Sequence, residues 1–312
     1  MKLHFIINEF AGNGKGKKVW ERLKKELQMP YSFHSTQYKE HAKKIALHLS
    51  EKASANNEHI VIIVVGGDGT IHEVLNGVIG FHKVTLGYVA AGSGNDFSRG
   101  YFSFQNAEQI EQFVLKNECT YQQMDSGVVK INTIQESFIN NAGIGFDAFV
   151  ANLANQSKLK KRLNSVGLGK LSYVYFLIYG LFKYKVFDCT VCIEGIEKSY
   201  KNVWFITLSN QPYFGGGMKI SPKSNPDDGL LELTLVHNLP RIKLLVLFVT
   251  VFFGAHTRFR AVVQTKAEKV KIRVKEQQIL CHTDGEIIRP STNNPTLEFV
   301  IQPKSWNLAK EK

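Results

Sequence analysis

Six consecutive aliphatic residues, Ile60 to Val65, run directly into the sequence Gly66-Gly67-Asp68-Gly69-Thr70. An unbroken apolar run of this length is typical of a central parallel strand that is buried on both faces. Apolar residues then recur with helical spacing from Ile71 to Val78. A strand, a glycine loop and a helix in this order form an anion site, because the first N–H groups of the helix are free. The sequence therefore predicts a phosphate site here, and a plain glycine-rich turn capped by Asp68 is the alternative.

Two further loops follow predicted strands in the same way. Gly12–Lys18 comes after the strand Leu3–Ile7, and Ala91–Phe97 comes after the strand Val84–Ala90. The first loop lacks the Gly-Lys-Ser/Thr of a Walker A motif, and a solvated basic turn is its alternative interpretation. In an open α/β sheet the carboxyl ends of the strands meet at one edge, where such sheets bind ligands. We therefore expect Lys15, Gly66, Gly92, Asn95 and Asp96 to lie near the phosphates.

The chain changes character near residue 126. Up to there strands alternate with helices, predicted near Lys18–Leu27, Glu40–Ala55 and Asn106–Lys116 with Asn106 as the N-cap. This alternation indicates an open parallel α/β sheet. From Gly127 onward short alternating segments such as Ser137–Asn140 indicate an antiparallel β-sandwich, with helical insertions at 146–182 and 240–255. We expect two domains, residues 1–126 completed by 297–312, and residues 127–296.

Net charge, the length of the apolar runs and the placement of the cysteines limit the classes of protein to which this chain can belong. The 312 residues carry a net charge of +12, which suits an anionic partner, and no nucleic-acid-binding module is recognisable. Met1–Ile7 resembles a strand rather than a signal peptide, and the longest apolar run, Leu244–Phe253, is about half a membrane span. Cys189 and Cys192 fall in a predicted strand, so the four cysteines indicate a structural role. These features predict a cytoplasmic protein, peripheral at the inner face of the membrane.

Two polar turns in the second half have open interpretations. Thr283-Asp284-Gly285-Glu286 is either a simple β-turn or a pair of functional carboxylates. Asn225-Pro226-Asp227-Asp228-Gly229-Leu230 is either a turn or a cation loop, because carboxylate, amide and carbonyl oxygens are hard ligands.

Five motifs together resemble one family. They are Gly66-Gly-Asp-Gly-Thr70, Gly92-Ser-Gly-Asn-Asp-Phe97, Asn141-Ala-Gly-Ile-Gly-Phe-Asp147, Gly216-Gly-Met-Lys-Ile-Ser-Pro222 and Asp284-Gly-Glu286. In this order they resemble the soluble bacterial diacylglycerol kinases and their relatives, the lipid kinases related to sphingosine kinases. The match runs from Ile6 to about Glu286. Any one of these motifs alone would be less specific, since NAD kinases share the Gly66–Thr70 motif.

The resemblance implies an ATP-binding α/β domain, a β-sandwich domain for the lipid, and an active site in the cleft. It places ATP contacts at Asn8, Glu9, Phe10, Ala11, Gly12, Thr36, Gly67, Asp68, Gly69, Thr70, Ile71, His72, Glu73 and Ser93. It implies that Asp68 organises a Mg²⁺–water network and that Glu286 deprotonates the lipid hydroxyl. It also places a structural Mg²⁺ at Asn225, Asp228 and the Leu230 carbonyl, and implies a homodimer.

The expected reaction is transfer of the γ-phosphate of ATP to a lipid hydroxyl, with diacylglycerol as the first candidate. The aromatic segment Leu171–Phe182 and the basic groups Lys158–Arg162 and Arg258–Arg260 suit an anionic membrane surface, although core packing also explains the apolar residues. Two alternatives stay open: an NAD kinase-like phosphotransferase, and a lipid-binding regulatory protein with little activity.

Overall fold

The computed structural model describes residues 1–115, 121–156, 169–275, 279–290 and 294–310. The chain divides into two units. The first comprises Met1–Ser126 and Pro303–Lys312, and the second comprises Gly127–Gln302. No helix in the described parts of the chain is both long enough and apolar enough to span a bilayer.

The first unit alternates strands and helices, as the sequence predicted. Its elements are β1 (Lys2–Ile7), α1 (Ala11–Glu26), β2 (Ser32–Ser35), α2 (His41–Ala55), β3 (Ile60–Gly66), α3 (Asp68–Val78), β4 (Val84–Ala90), α4 (Phe97–Gly100), α5 (Ala107–Leu115) and the beginning of β5 (Tyr121–Ile131). Strands β2, β1, β3 and β4 pair in that order and all run parallel. The prediction of an open parallel sheet is confirmed.

Strand β3 lies in the middle of this sheet, and its side chains are buried on both faces. On the following helix, Ile71, Val74, Leu75 and Val78 are buried at the helical spacing that the sequence predicted. Strand β3 therefore directs the loop that begins at Gly66 toward the carboxyl edge of the sheet.

Two helix starts show how local chemistry sets the boundaries. Helix α1 extends from Ala11, but left-handed dihedrals at Gly12, Asn13 and Gly14 interrupt it, so its regular part begins at Lys15, three residues before the predicted start near Lys18. Helix α5 has the predicted cap, because the side-chain oxygen of Asn106 accepts a 2.9 Å hydrogen bond from the N–H of Gln109. Its predicted end at Lys116 lies outside the described residues.

The last strand, β17 (Thr296–Ala309), completes the first sheet. Its residues Asn307 and Leu308 pair in parallel with β4. The Asp125 carboxylate accepts a 2.8 Å hydrogen bond from the N–H of Lys304, and the Asp125 carbonyl accepts one of 3.0 Å from the Trp306 indole. The first unit therefore needs residues from both ends of the chain.

The second unit is antiparallel β structure with three helices of eleven or more residues in its described part. Its elements are β6 (Ile134–Phe138), β7 (Asn141–Gly145), α6 (Phe146–Gln156), α7 (Gly169–Lys183), β8 (Phe187–Ile193), β9 (Ile196–Ser209), β10 (Tyr213–Phe214), β11 (Met218–Lys219), β12 (Leu231–His237), α8 (Arg241–Val251), a 3₁₀ turn (Ala255–Arg258), β13 (Val262–Ala267), β14 (Lys269–Val274), β15 (Cys281–Thr283) and β16 (Glu286–Ile288). Strand β9 pairs with β7, β8 and β12. The predicted antiparallel class is confirmed.

The predicted strand Ser137–Asn140 is wrong in its bounds. Strand β6 ends at Phe138 and β7 begins at Asn141. The chain breaks there because the N–H groups of Ile139 and Asn140 donate to the Asp284 carboxylate instead of to a neighbouring strand.

Candidate active site

Two glycine loops of the first unit come into close contact at the carboxyl edge of the sheet. A Cβ on Gly92 would lie 2.5 Å from the Cα of Gly67, so this approach requires a glycine. The Asp68 carboxylate bridges the same loops, because its Oδ1 accepts a 2.9 Å hydrogen bond from the N–H of Phe97. The structure therefore brings together the predicted loops that follow β3 and β4.

The second carboxylate at this edge, that of Asp96, pairs with a basic side chain. Asp96 forms a 3.1 Å ion pair with Arg99, whose guanidinium also donates to the carbonyl of Gly94. Burial, followed by the charges of Asp68 and Asp96, raises the pKa of the Tyr88 hydroxyl above its usual range. That hydroxyl donates a 2.9 Å hydrogen bond to the Gly66 carbonyl. The Tyr88 hydroxyl therefore stays protonated, and its hydrogen bond fixes the loop at Gly66.

A polar pocket of about 180 Å³ lies beside these loops. Its lining includes five residues predicted to contact ATP, which are Asn8, Phe10, Thr36, Thr70 and Glu73. It also includes Gln37, Tyr38, Lys39 and Ala42, which the sequence analysis missed. No motif marked those four residues; they join the pocket because they follow the short edge strand β2, which the periodicity of the sequence did not predict.

Asn8 connects three parts of the pocket wall. Its backbone N–H donates to the Val65 carbonyl at 2.9 Å, its side-chain nitrogen donates to Thr70 Oγ1 at 3.1 Å, and its side-chain oxygen accepts the N–H of Phe10 at 3.1 Å. Glu73 holds the opposite wall, because its carboxylate accepts hydrogen bonds from the N–H groups of Glu40 and Ala42 at 3.0 and 3.2 Å. It thereby caps α2.

The remaining predicted residues of the first unit occupy different environments. Ile71 and His72 are buried within α3, so their side chains face the protein interior. Lys15 and Ser93 are exposed. Glu9 accepts a 3.1 Å hydrogen bond from the Ser35 hydroxyl. Asn95 adopts a left-handed conformation, and its buried side-chain oxygen contacts no hydrogen-bond donor among the described residues.

In the second unit, Glu286 stands at the end of a tight hairpin. It is the cross-strand partner of Thr283, and Asp284 and Gly285 form the two-residue turn with φ of 50° and 91°. Positive φ at both positions is typical of a type I′ turn. The Asp284 carboxylate accepts N–H groups from Ile139, Asn140 and Asn141 at 2.8 to 3.0 Å. The segment is therefore a β-turn, and the three hydrogen bonds to Asp284 fix its position.

An apolar cavity lies among α6, α7 and α8 of the same unit. Its free space is about 20 Å³, room for about one water molecule. Its lining consists of Phe146, Asp147, Val150, Leu177, Phe205, Thr207, Phe214, Met218, Ile220 and Phe248. Asp147 and Thr207 supply its polar wall, and flexible or aromatic side chains supply the rest. An apolar ligand with one polar end matches this lining, provided that side chains move to admit it.

Both halves of the chain match sequence models of known domains. The model of the diacylglycerol kinase catalytic domain matches residues 2–127, and that of the YegS C-terminal NAD kinase beta sandwich-like domain matches residues 140–308. The Bacillus subtilis protein named "Putative lipid kinase YtlR" is 32% identical over 91% of this chain and 93% of its own. The chain belongs to the diacylglycerol kinase family of lipid kinases.

Further relatives of this family agree in sequence and in fold. A Mycobacterium tuberculosis protein named "Diacylglycerol kinase" is 28% identical over 78% of this chain and 76% of its own. A crystal structure titled as a diacylglycerol kinase from Bacillus anthracis superposes with a TM-score of 0.66, at 19% identity, over 99% of this chain and 97% of that one. Yeast NADH kinase has a TM-score of 0.51 at 10% identity over 100% of this chain and 84% of its own, which shows a related fold.

Kinases of this type use Mg²⁺ with ATP, and the first unit fits such use. No group of three or more His, Cys, Asp or Glu side chains in the described part of the chain could hold a metal. Mg²⁺ in kinases is commonly bound by one or two carboxylates together with substrate phosphates. Asp68 offers a carboxylate at the loop edge, whereas the Asp96 carboxylate is already paired with Arg99, and the side-chain oxygen of Asn95 offers an acceptor for a metal-bound water.

The predicted structural Mg²⁺ loop of the second unit does not fit a cation as it is arranged. Asp228 Oδ2 accepts a 2.6 Å ion-paired hydrogen bond from Lys266, and Asp228 Oδ1 accepts the N–H of Leu230 at 3.1 Å. Asn225 is neutral. An ammonium group therefore supplies the positive charge that a metal ion would bring to Asp228.

The cysteines of the second unit have a structural role. Cys189 and Cys192 lie in β8 as predicted, and Cys189 and Cys281 are buried. Burial, with the neighbouring charge of Asp188, raises the pKa of Cys189 to about 12. A thiol with such a pKa is a poor nucleophile. Cys119 lies outside the described residues.

Proposed function

We propose that this protein transfers the γ-phosphate of ATP to the hydroxyl of a membrane lipid, and that diacylglycerol is the acceptor. The observation that carries the proposal is the apolar cavity of the second unit, where Asp147 and Thr207 are the polar residues of the lining within the described part of the chain. A soluble dinucleotide acceptor would need many polar partners, whereas a lipid needs an apolar cavity with a polar end. The apolar chemistry of this lining therefore supports a lipid acceptor over a dinucleotide, and the free space of about 20 Å³ must be enlarged by side-chain movement before any lipid enters.

In this reaction the first unit would hold ATP and the second would hold the lipid. The loops of Gly67 and Gly92 and the side chain of Asn8 would position the phosphates. When bound, Mg²⁺ neutralises the charge that develops on the phosphates. Glu286 would accept the proton of the lipid hydroxyl as that oxygen bonds to the γ-phosphorus and the bond to ADP breaks.

The outer faces of α7 and α8 support delivery of the lipid from a membrane. Helix α8 buries Leu244, Leu247 and Val251 on one face. Its other face exposes the apolar residues Ile242, Val246 and Val249 at helical spacing, and Phe253, two residues beyond the end of the helix, is exposed as well. On α7, Ile178 and Phe182 are exposed as well. A helix that is apolar on both faces leaves one face without a protein partner.

Exposed basic residues lie close in sequence to this apolar surface. They are Lys183 and Lys185 at and after the end of α7, Lys243 within α8, and Arg258 and Arg260 shortly after α8. Apolar residues flanked by lysine and arginine suit the anionic leaflet of a bilayer, because insertion of the apolar groups and attraction of the charges add. We therefore propose that α7 and α8 dock at an anionic membrane. The predicted basic segment Lys158–Arg162 lies outside the described residues.

The experiment is a transfer assay with labelled ATP and Mg²⁺. Mixed micelles would present diacylglycerol, a sphingoid base or a long-chain alcohol, and NAD would be tested in solution. We expect label in the diacylglycerol product. Label in NAD alone would support the NAD kinase alternative, and ATP binding without any transfer would support a regulatory lipid-binding protein.

A variant tests the assigned base. Glu286→Gln should abolish turnover and leave ATP affinity close to that of the unaltered protein, because the residue belongs to the lipid-binding unit. Turnover that survives this substitution would exclude Glu286 as the base.

A further inference from the structure

His282 is a fully buried histidine two residues before Asp284, the first residue of the turn, and both of its ring nitrogens have partners. Its Nε2 lies 3.2 Å from Asp147 Oδ2, and its Nδ1 accepts a 3.2 Å hydrogen bond from the N–H of Gly285. The ring of Phe214 stacks on the imidazole at a centroid distance of 5.0 Å. Neither Asp147 nor His282 had a role in the sequence analysis.

These partners determine which ring nitrogen carries the proton. A backbone N–H can only donate, so Nδ1 must offer its lone pair to Gly285. A carboxylate can only accept, so Nε2 must carry the hydrogen that points to Asp147. The geometry is satisfied by a single neutral tautomer, the one protonated at Nε2. In the tautomer protonated at Nδ1, or in the imidazolium, the Nδ1–H of His282 and the backbone N–H of Gly285 would point at each other.

The pair is built tightly into the sheet. His282 is the cross-strand partner of Gly143 in β7. A Cβ on Gly143 would lie 1.9 Å from Asp147 Oδ2 and 2.6 Å from His282 Nε2, so the backbone of β7 passes directly beneath the hydrogen bond. Asp147 Oδ1 is occupied as well, since it lies 2.7 Å from the N–H of Ala148.

We propose that His282 is a positioning residue for Glu286, and that Asp147 selects the tautomer in which it does so. The link runs from Asp147 through the imidazole to the N–H of Gly285, and the turn then directs the Glu286 side chain. The Gly285 carbonyl is held on its other side by the Asn155 amide at 3.1 Å. This inference rests on the proposed role of Glu286 as the base. It resembles the way a buried aspartate fixes the histidine tautomer in serine proteases.

Two substitutions at His282 test the roles of its two ring nitrogens separately. His282→Asn keeps an acceptor near the Nδ1 position and loses the group that faces Asp147. His282→Gln keeps a donor near the Nε2 position and loses the acceptor for Gly285. Both remove the ring that stacks on Phe214, so any loss of packing is common to the pair and each serves as the control for the other.

A third substitution, Asp147→Asn, tests the tautomer without changing the shape of the side chain. The N–H of Ala148 requires an oxygen at the Oδ1 position, which places the new amide NH₂ opposite Nε2 of His282. Nε2 must then accept, the hydrogen moves to Nδ1, and Nδ1 can no longer accept from Gly285. The positioning of the turn should therefore be lost although His282 is unchanged.

The kinetic test compares kcat and KM for the lipid kinase reaction in all three variants. We expect His282→Asn to retain most of kcat, and His282→Gln and Asp147→Asn to lose about tenfold or more in kcat with the KM for ATP unchanged, since a small displacement of a reacting group has effects of this size. Equal losses in the two His282 variants would overturn the proposal, because they would indicate packing alone.

A second measurement does not depend on activity. Nitrogen-15 spectra of the labelled His282 ring should show a protonated Nε2 and an unprotonated Nδ1, and Asp147→Asn should exchange them. The Gly285 amide should exchange with solvent faster in His282→Gln than in His282→Asn. A protonated Nδ1 in the unaltered protein would refute the assignment. If Glu286→Gln retains turnover, the role of the base fails while these spectra still decide the tautomer.

Discussion

The Asp68 carboxylate accepts the backbone N–H of Phe97 across 2.9 Å, and thereby connects the loop after β3 to the loop after β4. This contact gives Asp68 a structural role in addition to the proposed role at Mg²⁺. The two roles differ in what they need, because the hydrogen bond needs an oxygen and the cation needs a charge.

We therefore expect Asp68→Asn and Asp68→Ala to differ. The amide of Asp68→Asn can still accept the Phe97 N–H, so its thermal midpoint should stay near that of the unaltered protein while turnover falls about a hundredfold, as for other lost electrostatic groups in active sites. Asp68→Ala should lose both turnover and about 1 kcal/mol of unfolding free energy. Full turnover in Asp68→Asn would exclude a role for the charge.

Glu73 caps α2, a helix that has no side-chain cap of its own. Glu73→Ala should lower the unfolding free energy by about 1 kcal/mol and raise the KM for ATP, because the pocket wall loosens. Denaturant unfolding and ATP titration measure the two effects. Glu51→Ala, at an exposed position of the same helix, is the control and should change neither. An unchanged KM in Glu73→Ala would separate the cap from the nucleotide site.

Lys266 forms an ion pair with the Asp228 carboxylate, which the resemblance assigns to a structural Mg²⁺. Its register partner Glu232 is buried, and burial raises the pKa of Glu232 while the Ser224 hydrogen bond and then the charge of Lys266 partly offset that rise. We expect the thermal midpoint of the unaltered protein, without nucleotide, to be unaffected by a chelator. In Lys266→Met the midpoint should fall, and millimolar Mg²⁺ or Ca²⁺ should restore part of it.

The control for this experiment is Lys269→Met. It breaks the more exposed ion pair with Glu298 in the neighbouring strand, and it should show no response to divalent cations. A chelator that destabilises the unaltered protein would show that a metal displaces Lys266 from Asp228.

The apolar surface of α8 makes a prediction about membranes. Val249→Glu with Phe253→Glu should prevent flotation with vesicles that contain phosphatidylserine, because two charges would face the acyl region. Ile196→Glu is the matched control, since Ile196 is 75% exposed and lies at the start of β9, outside the two helices. Flotation that persists in the double variant would exclude this surface as the membrane contact.

The sequence was sufficient for those parts of the fold that depend on local patterns. The aliphatic run of β3, the apolar stripe of α3 and the Asn106 cap were all predicted, because each involves neighbouring residues. The pairing of Lys266 with Asp228 could not be predicted. It depends on the register of β12 and β13, which brings together residues that are far apart in the chain.

The candidate active site shows the same contrast between local patterns, which the sequence reveals, and long-range contacts, which it does not. The glycine loops were recognised, but the sequence did not indicate that Asn8 would donate to Thr70, or that Asp147 would meet His282. Gly92 also has a packing reason that its motif did not reveal, namely the approach of Gly67. Long-range contacts of single polar side chains leave no periodic signal, and only the folded chain can identify them.

Strand β17 has a consequence for synthesis. The ribosome completes residues 1–126 long before it reaches Asn307 and Leu308, so β4 of the nascent first unit has an open edge until β17 emerges. Unpaired edges of this kind are prone to wrong pairing. Nucleotide-binding activity should therefore appear only after β17 has been synthesised and has paired with β4.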